Sequence, residues 1–219
     1  VGFGVLNCTL ILKGKMNPFI VTIATMFVAR GLISFTTGGL TVYPMPDGYA
    51  EIGNAKPLGL SWLFIVFVIC AIAGEIALRT LWGLKLRATG SDREIAYCTE
   101  VDTTRVTYTT FIIIGGAAAL AGMLGVLRMN GAQPLLGQGW EFQALAACAI
   151  GGVSIYGYEG SIIGAFLGLA TMQVLANGLV AIGMSPYLQM VVIGVALALA
   201  MWLDAKRKIQ FDLIDERKL

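Results

Sequence analysis

The sequence predicts an all-α membrane protein, a polytopic bundle of about six complete transmembrane helices with a partial helix at its N-terminal end. Of its 219 residues, 57% are hydrophobic and only 13% are charged, whereas soluble domains carry about 25% charged residues. The mean hydropathy is +0.79. The core of a soluble domain of this size cannot hold so much apolar surface, but lipid allows apolar side chains to face outward.

The apolar stretches predict the spans in order, because one crossing needs about 20 mostly apolar residues. Val1–Leu12 is the partial helix, and Lys13 and Lys15 end it. The segment 38–57, rich in Pro and Gly, is an expected extramembrane loop. The span at Phe142–Tyr156 is short, so we expect it to be tilted, partly re-entrant or packed inside protein. The predicted complete spans are Asn17–Phe35, Leu58–Leu78, Val106–Leu127, Phe142–Tyr156, Ser161–Ile182 and Tyr187–Leu203.

The distribution of basic residues predicts the orientation of these spans, because cytoplasmic loops carry an excess of Lys and Arg. If the turn at Lys13 and Lys15 is cytoplasmic, the basic loop 83–105 and the basic C-terminal end are cytoplasmic too. We therefore expect a transmembrane domain over residues 1–208 and a cytoplasmic C-terminal tail over residues 209–219.

Two charged positions and one glycine pattern lie inside the predicted spans. Arg30 is either a pore or substrate contact or an interfacial anchor that packs against a helix. Glu75 precedes Arg79 by one helical turn, so an i,i+4 ion pair explains it without a proton-relay role. The repeat Gly160–Gly164–Gly168 predicts a ridge where two membrane helices pack closely.

The composition argues against several classes of function. The sequence has no histidine, which removes the usual general base and the commonest metal ligand. Its four cysteines are scattered without a C-x-x-C pair, and no phosphate-binding G-x-x-x-x-G-K-[ST] motif occurs. A net charge of +2 gives no nucleic-acid footprint. We expect no catalytic residue, no metal site and no cofactor bound by the chain.

The loop 83–105 contains the pattern of a short amphipathic helix outside the membrane. Ser91 and Glu94 have the spacing of a capping box, in which each side chain caps the start of a helix. Apolar residues then recur every three positions at Ile95, Cys98 and Val101. Packing on the protein's own helices or lipid and docking to a cytoplasmic partner remain equal alternatives on these grounds.

Several segments carry a resemblance that keeps its order along nearly the entire chain. They are Asn17–Thr22, Ala29–Gly31, Ala88–Ala96, Gly131–Pro134, Gly137–Ala144, Gly151–Ser154, Gly160–Gly164, Asn177–Leu179, Ser185–Tyr187 and Gln189–Val192. These segments resemble the permease subunits of bacterial ABC importers of the ribose and other monosaccharide type. The resemblance covers roughly the C-terminal two-thirds of a typical member, so we expect the N-terminal spans to be missing.

The resemblance implies a transport subunit of the bacterial inner membrane. Such permeases pair as homodimers or heterodimers, receive a sugar from a periplasmic binding protein, and dock cytoplasmic ATPase subunits that use ATP on a coupling helix. That helix corresponds to Ser91–Thr104, with Gly90 before it. The chain departs from the family pattern at Ile95-Ala96 and Glu100-Val101, so we expect the partner contacts of this helix to be particular to its own ATPase. Residues 156–159 also replace a more glycine-rich turn of the family. The implied contact residues are Gly90, Ser91, Asp92, Arg93, Glu94, Ile95, Ala96, Glu100 and Val101.

Amide side chains are the candidates for a sugar path, since sugars are bound by amides, hydroxyls and aromatic faces. Hydrogen bonding between helices is the alternative role for each amide within a span. An importer of an amino acid or autoinducer and an ion-coupled secondary transporter remain the alternative functions. The candidate path residues are Gln133, Gln138, Gln143, Gln173 and Asn177.

Overall fold

A computed structural model describes residues 1–43, 48–54, 61–91, 96, 101–154 and 160–216. Over these residues the regular structure is helical, apart from one isolated antiparallel bridge between Val42 and Ala132. The all-α prediction is confirmed. The helices are α1 (Gly2–Gly14), α2 (Pro18–Thr37), α3 (Tyr49–Asn54), α4 (Trp62–Arg79), α5 (Leu81–Ser91), α6 (Thr103–Met129), α7 (Trp140–Ile150), α8 (Ile162–Ala181) and α9 (Pro186–Glu216).

Four of these helices are long and apolar enough to cross a bilayer: α2, α4, α6 and α8. Only 0% to 11% of each of these spans is buried inside the protein, so most of their surface is left for lipid or other subunits. Tyr187–Trp202 in α9 and Gly2–Gly14 are shorter apolar helices. The membrane-bundle class therefore stands, whereas the predicted number of six complete spans is not confirmed.

The ends of α2 show how local sequence sets the boundaries of a span. Asn17 is the N-cap, and its side chain accepts a hydrogen bond of 2.9 Å from the backbone N–H of Phe19. Pro18 occupies the first turn, where its missing N–H leaves no bond unmade. At the other end Gly38 has φ +61°, a left-handed conformation that glycine adopts without strain. The predicted span Asn17–Phe35 is thus a helix with its own start and stop signals.

The protein divides into two compact units, and the division falls inside α4. The first unit comprises Val1–Ile72 and Arg93–Leu136. In it α1 packs closely on α6, because a Cβ at Gly4 would overlap the carbonyl oxygen of Phe111. The Thr9 hydroxyl and the Tyr108 hydroxyl, 3.1 Å apart, share a hydrogen bond across the same pair of helices.

The second unit comprises Ala73–Asp92 and Gly137–Leu219, and its core lies around α7. Ala146 of α7 is fully buried, and Ala147 of α7 and Met172 of α8 are almost fully buried. Apolar side chains of α8 and α9 surround these three residues, so α7 packs against both helices.

Helix α7 is half the length of a span. Its 11 residues rise about 16 Å, against a hydrocarbon core about 30 Å thick. The helix ends at Gly151 and Gly152, the latter with φ +77°. The structure therefore has a shorter helix within the expected span Phe142–Tyr156: it packs on one side against α8 and α9 and is exposed at Phe142 and Ile150, and Tyr156 lies outside the described residues.

Helix α9 runs beyond the predicted end of the last span. It continues without a break from Pro186 to Glu216, so the expected boundary between residues 208 and 209 lies within a helix.

Candidate functional site

One face of α8 carries two amide side chains in the middle of a predicted span. Gln173 is the twelfth of the 20 residues of α8, and Asn177 follows it by one helical turn. Residues spaced i and i+4 share a helix face, and both side chains are exposed. An amide left without hydrogen bonds in an apolar medium costs about 2–7 kcal/mol. Lipid is thus an unfavourable neighbour for this face, which we call the amide face of α8.

The opposite face of α8 packs against α7. Gly168 and Met172 lie there and are both buried. Because 3.6 residues complete a turn, this packed face points away from Gln173 and Asn177. The fold therefore fixes α8 on one side and leaves its amides uncovered on the other.

Glycine residues on the packed face let the backbone of α8 contact the backbone of α7. A Cβ at Gly168 would overlap the carbonyl oxygen of Ala147, and Gly151 and Gly164 would each overlap the other's carbonyl oxygen in the same way. At Gly160 the nearest atom is instead the Val153 side chain, 3.0 Å away. The predicted glycine ridge is confirmed, with its closest backbone contacts at Gly164 and Gly168.

The other three candidate path amides lie outside the middle of a span. Gln138 is exposed in the turn before α7, and Gln143 is half-buried in the first turn of α7. Gln133 is exposed in the turn after α6 and belongs to the first unit. The structure therefore pairs Gln173 with Asn177 and places Gln138 near Gln143 in sequence, without bringing all five onto one face.

The segment expected to form the coupling helix is described only in part. Asp92, Arg93, Glu94, Ile95 and Glu100 lie outside the described residues. Ala96 is helical and 2% exposed, and its carbonyl oxygen accepts a hydrogen bond of 3.2 Å from the N–H of Val101. Gly90 and Ser91 belong to the second unit, whereas Ala96 and Val101 belong to the first.

Two features of this segment differ from the sequence prediction. Ser91 is the last residue of α5, so it does not begin a helix as a capping box requires. The cap of the following helix is Asp102, whose carboxylate accepts a hydrogen bond of 3.0 Å from the N–H of Arg105. Helix α6 consequently starts at Thr103, and Thr104 belongs to a membrane span rather than to a separate helix.

The other polar groups considered as site residues are an ion pair, a half-buried arginine and a buried asparagine. Glu75 and Arg79 form the predicted i,i+4 pair, with Oε1 and Nε 3.1 Å apart. Arg30 is half-buried in α2, so its two interpretations stay open. The Oδ1 atom of Asn7 is buried and accepts no hydrogen bond, a feature that the apolar N-terminal stretch did not suggest. Among the described residues no three His, Cys, Asp or Glu side chains cluster as metal ligands do.

The family model for the branched-chain amino acid transport system / permease component matches residues 1–201. The chain belongs to this permease family. Among the described residues, four helices are long and apolar enough to cross a bilayer, as the description of a permease requires. This permease is therefore a multi-pass protein of the inner membrane.

Curated relatives of the chain include permease proteins named for ribose and for L-arabinose. The chain is 35% identical over 204 residues to the ribose import permease protein RbsC of Bacillus subtilis (strain 168), covering 92% of the chain and 63% of that protein. It is 30% identical over 213 residues to the ribose import permease protein RbsC of Escherichia coli (strain K12), covering 94% and 65%.

A third relative is named for a different sugar, L-arabinose. The L-arabinose transport system permease protein AraH of Escherichia coli (strain K12) is 31% identical over 201 residues, covering 90% of the chain and 61% of that protein. The permease thus spans less than two thirds of the length of these relatives. No solved structure matches it significantly. The predicted membership among ABC permeases is confirmed by the family and by these relatives.

Proposed function

We propose that this chain forms part of the translocation path for a monosaccharide in an ATP-driven importer, as its transmembrane permease subunit. A periplasmic binding protein delivers the sugar, and separate cytoplasmic subunits bind and hydrolyse ATP. The chain itself binds no cofactor and performs no chemistry. Two permease subunits, identical or different, enclose the path.

The observation that carries this proposal is the amide face of α8. Gln173 and Asn177 are exposed at the depth of a membrane span, where amides need hydrogen-bonding partners. A neutral, hydroxyl-rich solute offers donors and acceptors that match an amide, which has both. Unlike an ion-coupled relay, such a path needs no ionisable side chain, and Glu75 is already paired with Arg79.

The substrate class follows from the relatives rather than from the geometry. Ribose and L-arabinose appear in the names of the relatives, so we assign a pentose as the first candidate. The family description names branched-chain amino acids instead. An amide face suits the sugar better, because the charged ends of an amino acid favour charged partners or helix termini.

Coupling to the ATPase is assigned to the segment that connects α5 to α6. We propose Gly90, Ser91, Asp92, Arg93, Glu94, Ile95, Ala96, Glu100 and Val101 as its contact residues. This segment and the C-terminal tail are placed in the cytoplasm, together with the turn at Lys13 and Lys15, because their basic residues favour that side. The placement requires the chain to cross the membrane between α6 and α8, a thickness that the 11 residues of α7 alone do not cover.

Uptake by the complete importer in proteoliposomes tests the proposal. With the ATPase subunits inside and the binding protein outside, we expect ATP-dependent uptake of labelled ribose or L-arabinose and none of leucine. A hydrogen bond contributes about 0.5–1.5 kcal/mol. Gln173→Leu and Asn177→Leu should therefore each slow uptake by about 2- to 12-fold, at an unchanged level of protein in the membrane.

The control for these two variants is Thr171→Val. Thr171 is exposed on the same helix, about 160° round the helix from Gln173 and about 120° from Asn177, and its hydroxyl donates a hydrogen bond of 2.8 Å to the carbonyl oxygen of Leu167. This change removes a polar group from a different face of α8 and should leave uptake unchanged. Wild-type rates in both amide variants would remove α8 from the path, and uptake of leucine without either pentose would overturn the substrate assignment.

A further inference from the structure

The second unit contains a cavity of about 350 Å³ that the proposed sugar path does not use. Its volume lies at the lower end of the range for small-ligand sites, about 300–1,000 Å³. The wall is mostly apolar, with Leu78, Leu86, Val153, Ile162 and Ala165 contributing to it. Its polar members include Arg87, Ser154 and Ser161.

The cavity lies at the depth where the hydrocarbon core meets water. Leu78 is next to the last residue of the span α4, and Ile162 is the first residue of the span α8. Helix ends that flank a span lie near the phospholipid headgroups, because the hydrocarbon core is about as thick as a 20-residue helix is long. A ligand there meets headgroups at one end and acyl chains at the other.

Helix α5 has the character of a helix that lies in the membrane interface. It follows α4 after a single residue, and the turn is tight because a Cβ at Gly83 would overlap the backbone of Leu78. Leu81 and Leu84 are 80% and 69% exposed, although they are apolar. Lys85 and Arg87 share this short helix. Exposed leucines can contact acyl chains, while long basic side chains on the same helix extend to the anionic headgroups.

Arg87 connects this helix to the cavity. It is exposed and lines the cavity, whereas Lys85, two residues before it, does not. Residues two apart on a helix point in different directions. Within the part of the chain that the structure describes, Arg87 makes no ion pair, and none of the cavity residues is acidic. The cavity therefore combines an apolar wall with one available guanidinium.

We propose that this cavity binds an acyl chain of an anionic phospholipid, whose phosphate is held by Arg87. Guanidinium groups match phosphate oxygens in charge and geometry, and basic pockets between membrane helices bind anionic headgroups. Ser161 adds a donor at the start of α8: its oxygen accepts from the N–H of Gly164, 3.5 Å away, and its own proton is left to donate. The apolar wall favours a lipid over a sugar or free phosphate.

Native mass spectrometry of the purified permease tests this proposal with a mixture of phosphatidylglycerol and phosphatidylcholine of the same acyl chains. We expect the wild-type protein to retain phosphatidylglycerol preferentially. Arg87→Gln should lower the ratio of bound phosphatidylglycerol to phosphatidylcholine by about tenfold or more, because it removes hydrogen bonds between a guanidinium and a charged phosphate. Lys85→Gln removes the same charge from the same helix but outside the cavity, so it should lose only the diffuse attraction of one basic residue, about fivefold or less.

A second pair of variants tests the acyl-chain part of the site independently of charge. Ala165→Phe fills the cavity and should reduce the binding of both lipids, whereas Leu167→Phe enlarges an exposed residue outside the cavity and should not. Equal losses for Arg87→Gln and Lys85→Gln would show diffuse attraction and overturn the proposal. Wild-type lipid binding by Ala165→Phe, or displacement of phosphatidylglycerol by soluble glycerol phosphate, would overturn it too.

Discussion

Replacing Gly168 with alanine tests whether backbone contact between α7 and α8 holds the second unit together. A Cβ at this position would overlap the carbonyl oxygen of Ala147 and lie 2.8 Å from the nitrogen of Gly151. Both are backbone atoms, so no change of rotamer can relieve the overlap and the two helices have to separate. The core of Ala146, Ala147 and Met172 would open with them.

Gly168→Ala should lower the free energy of unfolding by about 2 kcal/mol. Overpacking costs about 1–3 kcal/mol, and contact with backbone places this site at the upper end. Alanine recovers up to about 1 kcal/mol through its higher helix propensity. The free energy of unfolding should be measured by denaturant titration in lipid bicelles, followed by circular dichroism.

Gly178→Ala is the matched control on the same helix. No atom lies within 4 Å of the position where its Cβ would be, so the substitution should stabilise the protein by about 0.4–1 kcal/mol. The two variants make the same chemical change and are expected to act in opposite directions. If Gly168→Ala were as stable as Gly178→Ala, the close crossing of α7 and α8 would be wrong.

Two further predictions concern the first unit. Asp102→Ala removes the cap of α6 and should lower the free energy of unfolding by about 0.5–2 kcal/mol. Arg105→Ala removes only the exposed partner of an ion pair of 2.8 Å and should lower it by about 0–1 kcal/mol. Equal losses for the two variants in unfolding titrations would contradict the capping role. Thr9→Val and Tyr108→Phe should each lower the free energy of unfolding by about 0.5–1.5 kcal/mol. The double variant should lose no more than the larger single loss, because both changes remove one shared hydrogen bond. Fully additive losses would show that the two hydroxyls act separately.

The positions of α2 and α8 were predictable from sequence because hydropathy and local end signals agree there. Asn17 and Pro18 mark the start of α2, and Ser161 marks the start of α8 as its N-cap. The Gly164 and Gly168 contacts followed from small-residue spacing, which is specific to close helix packing. In each case a few neighbouring residues carry the whole signal.

The region around α5 was not predictable, because there the signal carried by a few neighbouring residues disagrees with the helix that forms. Ser91 and Glu94 have the spacing of a helix start, but Ser91 continues a helix that begins at Leu81. A capping box is a local signal that does not state where the preceding helix ends, and α5 continues through Ser91. The length of α7 was equally out of reach, because Gly151 and Gly152 read either as close-packing residues within a span or as the helix end that the structure contains.

The separation of backbone contact and amides onto opposite sides of α8 constrains how the protein can move. Gly164 and Gly168 interlock with the backbone of α7, and interlocked backbones resist gradual sliding. Any rearrangement that turns Gln173 and Asn177 towards a different compartment has to carry α7 along as one rigid body. The hinges for such a motion then belong at the ends of this pair of helices, and Gly183, with φ +74° just beyond α8, is well suited to be one of them.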